Sequence, residues 1–370
     1  MRVLFVTYHF LHGNGGGVYA SRGYVNAFAA LAESMSLLCP VKGNAAPEGI
    51  DPSVRVIPVR YEKPRFLKFL DLLAGRLHRY YGVFDEVLAS DRFDTVVFDA
   101  CYASFGLIGK AQAAGCRVIT IHHNYQCDYV RANYTFPVRH PMLFWTRICE
   151  GQAVRRSSLN LVLTEEDRRK LLRQYGESAD IRVIGVFEYR SRPWDGDSLT
   201  TVTAPVFVIT GNLSMRQTEI PLLEWMDSCL PVLLEEVPSA KVLVAGRDPS
   251  ERLSARCRAC GIELIPSPRD MQEILSRGSC YICPASVGGG LKLRVMDGLR
   301  CGMPVLAHVA ATRGYERFMD LAVFSYTDAE SFRKALRRLE NLAPGRQYAL
   351  DLYRQVFSFE SGVERLRNML

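Results

Sequence analysis

The chain has 370 residues, 48% of them hydrophobic and 23% charged, with 46 Lys and Arg against 39 Asp and Glu for a net charge of +7. A single core stops growing at about 250–300 residues, so two domains are expected, and the composition excludes a disordered or fibrous chain. The basic excess is mild and dispersed, which excludes a histone-like tail and keeps phosphorylated ligands, nucleic acid and anionic lipid open as partners. No apolar run approaches the ~20 residues of a bilayer span. Met1 leads straight into a strand pattern without the marks of a signal peptide. The 11 cysteines then fit a reducing compartment, and a cytoplasmic protein is expected.

Strand and helix patterns alternate along the chain, the signature of parallel sheets covered by helices. In the first half, apolar runs predict strands at 3–7, 54–59, 95–98, 118–122, 159–163 and 181–186, and amphipathic helices at 18–33, 66–89, 143–155 and 165–174. Gly15, Gly16 and Gly17 follow the first strand and open the first helix. Alone they are a flexible turn. Beside a second glycine turn they are a bare helix N-terminus suited to phosphate oxygens. The segment 65–81 joins a broad apolar and aromatic face to Arg65, Lys68, Arg76 and Arg79. Burial against the sheet explains such a face, while the basic flanks also fit seating on an anionic membrane surface. The strand at 118–122 ends in His122 and His123, at the edge where a doubly wound sheet holds its ligands. Successive strand residues point to opposite faces, so one of the two histidines faces that edge, and spacing does not say which.

The aperiodic stretch 190–205, with its prolines, aspartates and threonines, is expected to link a domain at 1–189 to one at 206–355. In the second half strands are predicted at 206–210, 241–245, 262–265, 280–284, 305–307 and 323–326, and helices at 220–236, 250–259, 271–275, 291–301 and 329–342. The fold class read from this pattern is α/β, two doubly wound Rossmann-like domains facing a central cleft. Arg216 lies in the loop after the first strand of the second half, and Arg247 closes the next strand. Cys257, Cys260, Cys280 and Cys283 have ribbon-like spacing. Cys280 and Cys283, however, sit three apart in a strand and point to opposite faces, so no metal is expected there.

The block 284–307 carries the most chemistry. A strand runs into Gly288, Gly289 and Gly290, and a helix begins with Leu291, Lys292 and Arg294 in its first turns and Asp297 further on. Bare amides, the helix dipole and two cations suit a diphosphate, and a carboxylate one turn later suits a ribose. Asp297 has an alternative partner in Arg294, three residues earlier on the same helix.

Taken whole, the block resembles the donor-binding motif of the retaining family 4 glycosyltransferases of the GT-B fold, through Gly288, Gly290, Leu291, Lys292, Arg294, Val295, Asp297, Gly302, Pro304 and Val305. The resemblance implies a cytoplasmic, metal-independent hexosyltransferase that needs no cofactor. It would move a sugar from a nucleoside-diphosphate sugar to a polysaccharide or glycolipid, and would meet a lipid-linked acceptor at the membrane face. It also implies that Gly15 to Gly17, Arg216, Arg247, Gly288 to Gly290, Leu291 and Asp297 bind the donor. Lys292 and Arg294 stabilise the leaving diphosphate, and His122 or His123 touches the donor sugar. A closing helix at 356–370 would cross back to the first domain. The commoner motif has a glutamate where Gly289 stands, which leaves a non-catalytic nucleotide-sugar-binding or scaffolding relative as the alternative. A nucleotide-sugar epimerase of the same fold would want more carboxylates at the cleft. Nucleic acid is set aside, because no recognised module accompanies the dispersed charge.

Overall fold

The computed structural model describes residues 1–13, 15–43, 45–60, 64–76, 78–191, 205–287, 290–340 and 345–370, and at 65, 340, 345 and 346 the backbone alone. Gly288, Gly289, the Arg65 side chain and residues 192–204 of the expected linker lie outside what is described. The chain divides into two compact units, Met1–Ser191 with Val356–Leu370, and Arg192–Gln355.

The first unit is built on seven strands, β1 (Arg2–Thr7), β2 (Ser34–Val41), β3 (Arg55–Arg60), β4 (Thr95–Asp99), β5 (Arg117–His122), β6 (Leu159–Val162) and β7 (Ile181–Val183). They lie side by side in the order β3-β2-β1-β4-β5-β6-β7, and every pairing is parallel. Both faces are covered, so the central strands are mostly apolar, and Val3 through Thr7 and Thr95 through Asp99 are buried. The order reverses between β1 and β4. Crossovers leave in opposite directions there and open a crevice at the carboxyl ends of the two strands. The closing segment belongs to this unit. Glu188 N donates to Phe357 O at 2.8 Å, Arg117 Nη1 to Leu370 O at 2.6 Å, and Gly362 lies so close that a Cβ would fall 2.1 Å from the Phe187 ring.

The second unit repeats the plan with β8 (Val206–Asn212), β9 (Lys241–Arg247), β10 (Glu263–Pro266), β11 (Cys280–Cys283), β12 (Val305–His308) and β13 (Val323–Tyr326). Their order is β10-β9-β8-β11-β12-β13, all parallel, and the reversal falls between β8 and β11.

Several elements come out differently from the expectation. The single helix expected at 220–236 is two, Arg216–Ser228 and Leu230–Glu236. The strand β2 replaces what reads as loop, because Ser34, Ser36 and Pro40 interrupt its apolar run. The single helix expected at 66–89 is two, Arg65–Leu73 and Phe84–Ser90. Gly75 takes a left-handed φ of +70° and packs on Trp145 so closely that a Cβ would fall 2.6 Å from the indole. Only glycine takes that turn without strain. The expectation that this apolar face is buried is also corrected. Phe66, Leu67, Phe69, Leu70 and Leu73 are all exposed, Phe66 to 69%. Of the basic residues, Lys68 and Arg76 are exposed, whereas Arg79 is half-buried with its guanidinium 4.9 Å above the Phe10 ring. Among the described residues no helix is long and apolar enough to cross a membrane.

Candidate functional site

In the first unit the carboxyl ends of β1, β4 and β5 gather a buried polar cluster. Thr7 and Asp99 are register partners, and the Thr7 hydroxyl donates to Asp99 Oδ2 at 2.6 Å. The same hydroxyl oxygen accepts the His9 amide at 3.1 Å. The other carboxylate oxygen, Oδ1, meets His123 Nε2 at 2.5 Å. The His9 ring packs edge-on against His123 with centroids 4.9 Å apart, and Tyr24 stands 5.9 Å from His123 on another side. Ala100, next after Asp99, is held at φ 93° and ψ 143°, a strained backbone for a side-chain-bearing residue and a common accompaniment of functional sites.

Burial alone would raise the Asp99 carboxyl, but His123 and His9 outweigh it and hold it at about 2. Burial together with the adjacent His123 presses His9 down to about 4 against the pull of Asp99. The site therefore contains a charged Asp99 and a neutral His9 at pH 7. His9, Asp99 and His123 are the one group among the described residues whose ligand atoms lie close enough for a metal, within 4.8 Å of one another. Asp99 gives one oxygen to the Thr7 hydroxyl and the other to His123.

The two adjacent histidines separate as alternation requires. His122 is buried in the interior, with Nε2 3.0 Å from Asn160 Oδ1 on β6, and burial pulls it down to about 4. His123 turns to the Asp99 cluster. Beyond it, two buried carboxylates hold the chain. Asp167 accepts the Tyr125 amide at 2.8 Å, and Glu150 accepts the Gln126 amide at 2.7 Å and the Tyr175 hydroxyl at 2.9 Å. Burial raises Glu150 to about 7 in spite of those bonds. The glycine turn lies alongside. Gly15 caps the helix Gly16–Leu31 in an extended conformation, and a Cβ on Gly17 would fall 2.9 Å from the His9 ring. His9 and Asp99 escape a motif search. Their one legible signal is that Asp99 closes an apolar strand and His9 follows two residues after the end of another.

In the second unit Lys292 caps the helix Leu293–Arg300, preceded by Gly290 at φ +69°. Its carbonyl accepts the hydroxyl of buried Tyr315 at 2.8 Å, which fixes the turn. Burial draws the Lys292 ammonium below its usual value; Cys283 opposes this, and Arg294 and Arg313 add to it. Arg294 lies across the end of β8, where a Cβ on Gly211 would fall 2.6 Å from its Cζ, and its Nη2 donates to the buried Thr218 hydroxyl at 2.8 Å. The structure thus brings Lys292, Arg294 and Gly290 to the strand-order reversal between β8 and β11. It adds Gly211, Thr218, Tyr315 and Arg313, which carry no local motif. Leu291 is half-buried in the same turn. Asp297 pairs with Arg300, Nη2 to Oδ1 at 3.0 Å, rather than with Arg294 as the helical spacing also allowed. Arg216, first residue of the helix Arg216–Ser228, and Arg247, last of β9 and opposite Asn212, are both exposed on the same edge.

Residues 14–186 match the Glycosyl transferase 4-like domain, and residues 204–341 match Glycosyl transferases group 1. No curated protein matches the chain in sequence. Solved structures of the same fold include HepE from Anabaena in complex with UDP and glucose, 14% identical with a TM-score of 0.65 over 100% of this chain and 99% of that one. Another is sucrose-phosphate synthase from Thermosynechococcus elongatus, 14% identical with a TM-score of 0.73 over 100% and 98%. A third is WaaG, a glycosyltransferase involved in lipopolysaccharide biosynthesis, 14% identical with a TM-score of 0.64 over 99% of each chain. The two Rossmann-like α/β domains are those of a GT-B fold.

Proposed function

We propose, on the premise that this chain carries the two domains of a group 1-type glycosyltransferase, that it is a retaining, metal-independent enzyme. It moves a sugar from a nucleoside-diphosphate sugar to a glycan or lipid-linked acceptor. The observation that carries the reading is the pair Lys292 and Arg294. Both are held at the glycine-preceded start of one helix, at the strand-order reversal, where burial draws the Lys292 ammonium below its usual value. A dianion bound there would favour the charged form of Lys292 that burial disfavours.

In this mechanism the acceptor hydroxyl attacks the anomeric carbon from the face the diphosphate leaves. The departing diphosphate takes the hydroxyl proton, and Lys292, Arg294 and the amides after Gly290 stabilise the charge growing on its oxygens. Asp297 holds the ribose hydroxyls, and His123 contacts the transferred sugar. His122, occupied with Asn160 in the interior, supports the strand end. The protein works in the cytoplasm, and the exposed apolar helix Arg65–Leu73 with Lys68 and Arg76 seats it on anionic lipid, where it meets its acceptor.

Thermal-shift measurements with uridine, guanosine and thymidine diphosphate sugars, followed by a sugar-release assay with and without EDTA, test the reading. Stabilisation by one of them and EDTA-insensitive release are expected; loss of release with EDTA, restored by magnesium or manganese, overturns the mechanism. Gly289 in place of the motif glutamate favours the second reading, a nucleotide-sugar-binding relative without transfer, which would show stabilisation and no release.

A further inference from the structure

Asp99 and His123 come together from the ends of two neighbouring strands, and the partners of each group define where the proton sits. We propose that Asp99 is a positioning residue that holds His123 as its Nε2–H tautomer, so that Nδ1 offers a lone pair to a sugar hydroxyl of the substrate. The inference rests on the reading of the chain as a sugar transferase and deepens it.

A charged carboxylate only accepts hydrogen bonds. Asp99 is completely buried and yet held at about 2, so it is charged at pH 7. The proton in its 2.5 Å contact with His123 therefore belongs to Nε2. Thr7 cannot reverse the arrangement. Its oxygen accepts the His9 amide while its single proton goes to Oδ2, so Asp99 is supplied with donors at both oxygens. A neutral imidazole with Nε2 protonated has a bare Nδ1.

That atom is buried with no hydrogen-bond partner among the described residues. The neighbouring rings do not serve it. Tyr24 directs its hydroxyl to the Gly185 carbonyl at 2.6 Å, and His9 approaches edge-on with centroids 4.9 Å away. Buried acceptors are almost always satisfied, so an orphan at the carboxyl edge of a doubly wound sheet marks the place of a donor that the ligand brings. On a sugar that donor is a hydroxyl. Either the transferred sugar or the acceptor can bring it.

The test reads the tautomer directly. Long-range proton–nitrogen correlation spectra of the 15N-histidine-labelled full chain resolve 7 histidines, with His123→Gln assigning the signal. The ligand-free wild type is expected to show His123 as Nε2–H. In Asp99→Asn the side-chain amide donates instead, and His123 is expected to move to Nδ1–H, with about a hundredfold loss of sugar transfer and unchanged affinity for the nucleoside diphosphate. Should that variant fail to fold, the wild-type spectrum still decides, because an Nδ1–H or doubly protonated His123 at pH 7 overturns the proposal. Titration with UDP-glucose, GDP-mannose and dTDP-glucose, each against its sugar-free diphosphate, locates the hydroxyl. An Nδ1 shift that requires the sugar assigns it to the donor, and one that requires added octyl glucoside assigns it to the acceptor. No shift with either overturns the hydroxyl contact, and so does stoichiometric zinc that is lost in His9→Ala. Failure to find any transfer while His123 stays Nε2–H would fault the function and leave the positioning intact.

Discussion

Replacing Lys292 with methionine is expected to make the ligand-free protein more stable and the enzyme inactive. In the folded state burial, with Arg294 and Arg313 adding to it, draws the Lys292 ammonium below its ordinary value. The unfolded chain therefore binds that proton more tightly than the fold does. The resulting penalty on the fold is absent above the unfolded pKa and grows as pH falls below it towards the folded one, and removing the charge removes the penalty. Methionine keeps the stem and removes the charge, and the ligand-free Tm should rise. A lost charged contact to the diphosphate is worth about 1.5–3 kcal/mol in binding and ~2.7–4 kcal/mol in the transition state, or 10²–10³ in kcat. With nucleoside diphosphate at 100 times the wild-type Kd, ligand stabilises the wild type by about 2.7 kcal/mol. A variant bound a hundredfold more weakly gains only about 0.4 kcal/mol under the same conditions. Differential scanning fluorimetry with and without ligand separates the two effects. A lower ligand-free Tm combined with an undiminished ligand shift would refute the argument, since it would make Lys292 an ordinary structural lysine.

Asp297→Ala is expected to weaken nucleoside diphosphate binding by about 1.5–3 kcal/mol. Calorimetry in which a 2′-deoxy nucleotide binds the wild type as well as the parent would instead reduce Asp297 to its pair with Arg300. Glu150, raised by burial to about 7, destabilises the fold as pH climbs from the unfolded carboxyl range towards 7, by roughly 3 kcal/mol. Urea titrations of Glu150→Gln should show that decline flattened, and an unchanged slope would remove the cause assigned to it. Ala100→Gly should relieve the strained turn after Asp99 and raise stability by about 1 kcal/mol, the ~1–3 kcal/mol of strain less the entropy that glycine adds to the unfolded chain; a lower denaturation midpoint would contradict the strain. Phe66→Ser with Lys68→Gln and Arg76→Gln should release the protein from anionic vesicles in flotation at low salt and spare turnover of a soluble acceptor, whereas a wild type that does not float would leave the exposed helix without its assigned partner.

What the sequence discloses and what it withholds follow from where the chemistry lies along the chain. Lys292, Arg294 and Gly290 are legible because one loop holds them all, and a glycine turn before a basic helix start has a phosphate-binding logic of its own. The seat of Arg294 is not legible. Gly211 and Thr218 contribute it from the other side of the strand-order reversal, Thr218 standing 76 residues away in sequence. The helix expected at 66–89 fails for a different reason. Amphipathic periodicity describes Arg65–Leu73 well, but it does not say whether the apolar face meets a sheet or solvent, and that face is open. The histidine pair lies between these cases. Alternation turns the two to opposite sides, but only the acid at the end of β4 shows that it is His123 that joins the cluster at the strand ends. In a parallel sheet every strand delivers its last residue to the same edge, so polar residues that close apolar strands are neighbours whatever their separation in sequence. Thr7, Asp99 and His123 stand at or just past three such ends, and β1 and β4 flank the reversal. A site assembled in this way has no motif, because its spacing is set by the lengths of the crossovers rather than by the chemistry. The legible trace is the break in each apolar run, and it takes on meaning only when the strand order puts the breaks side by side.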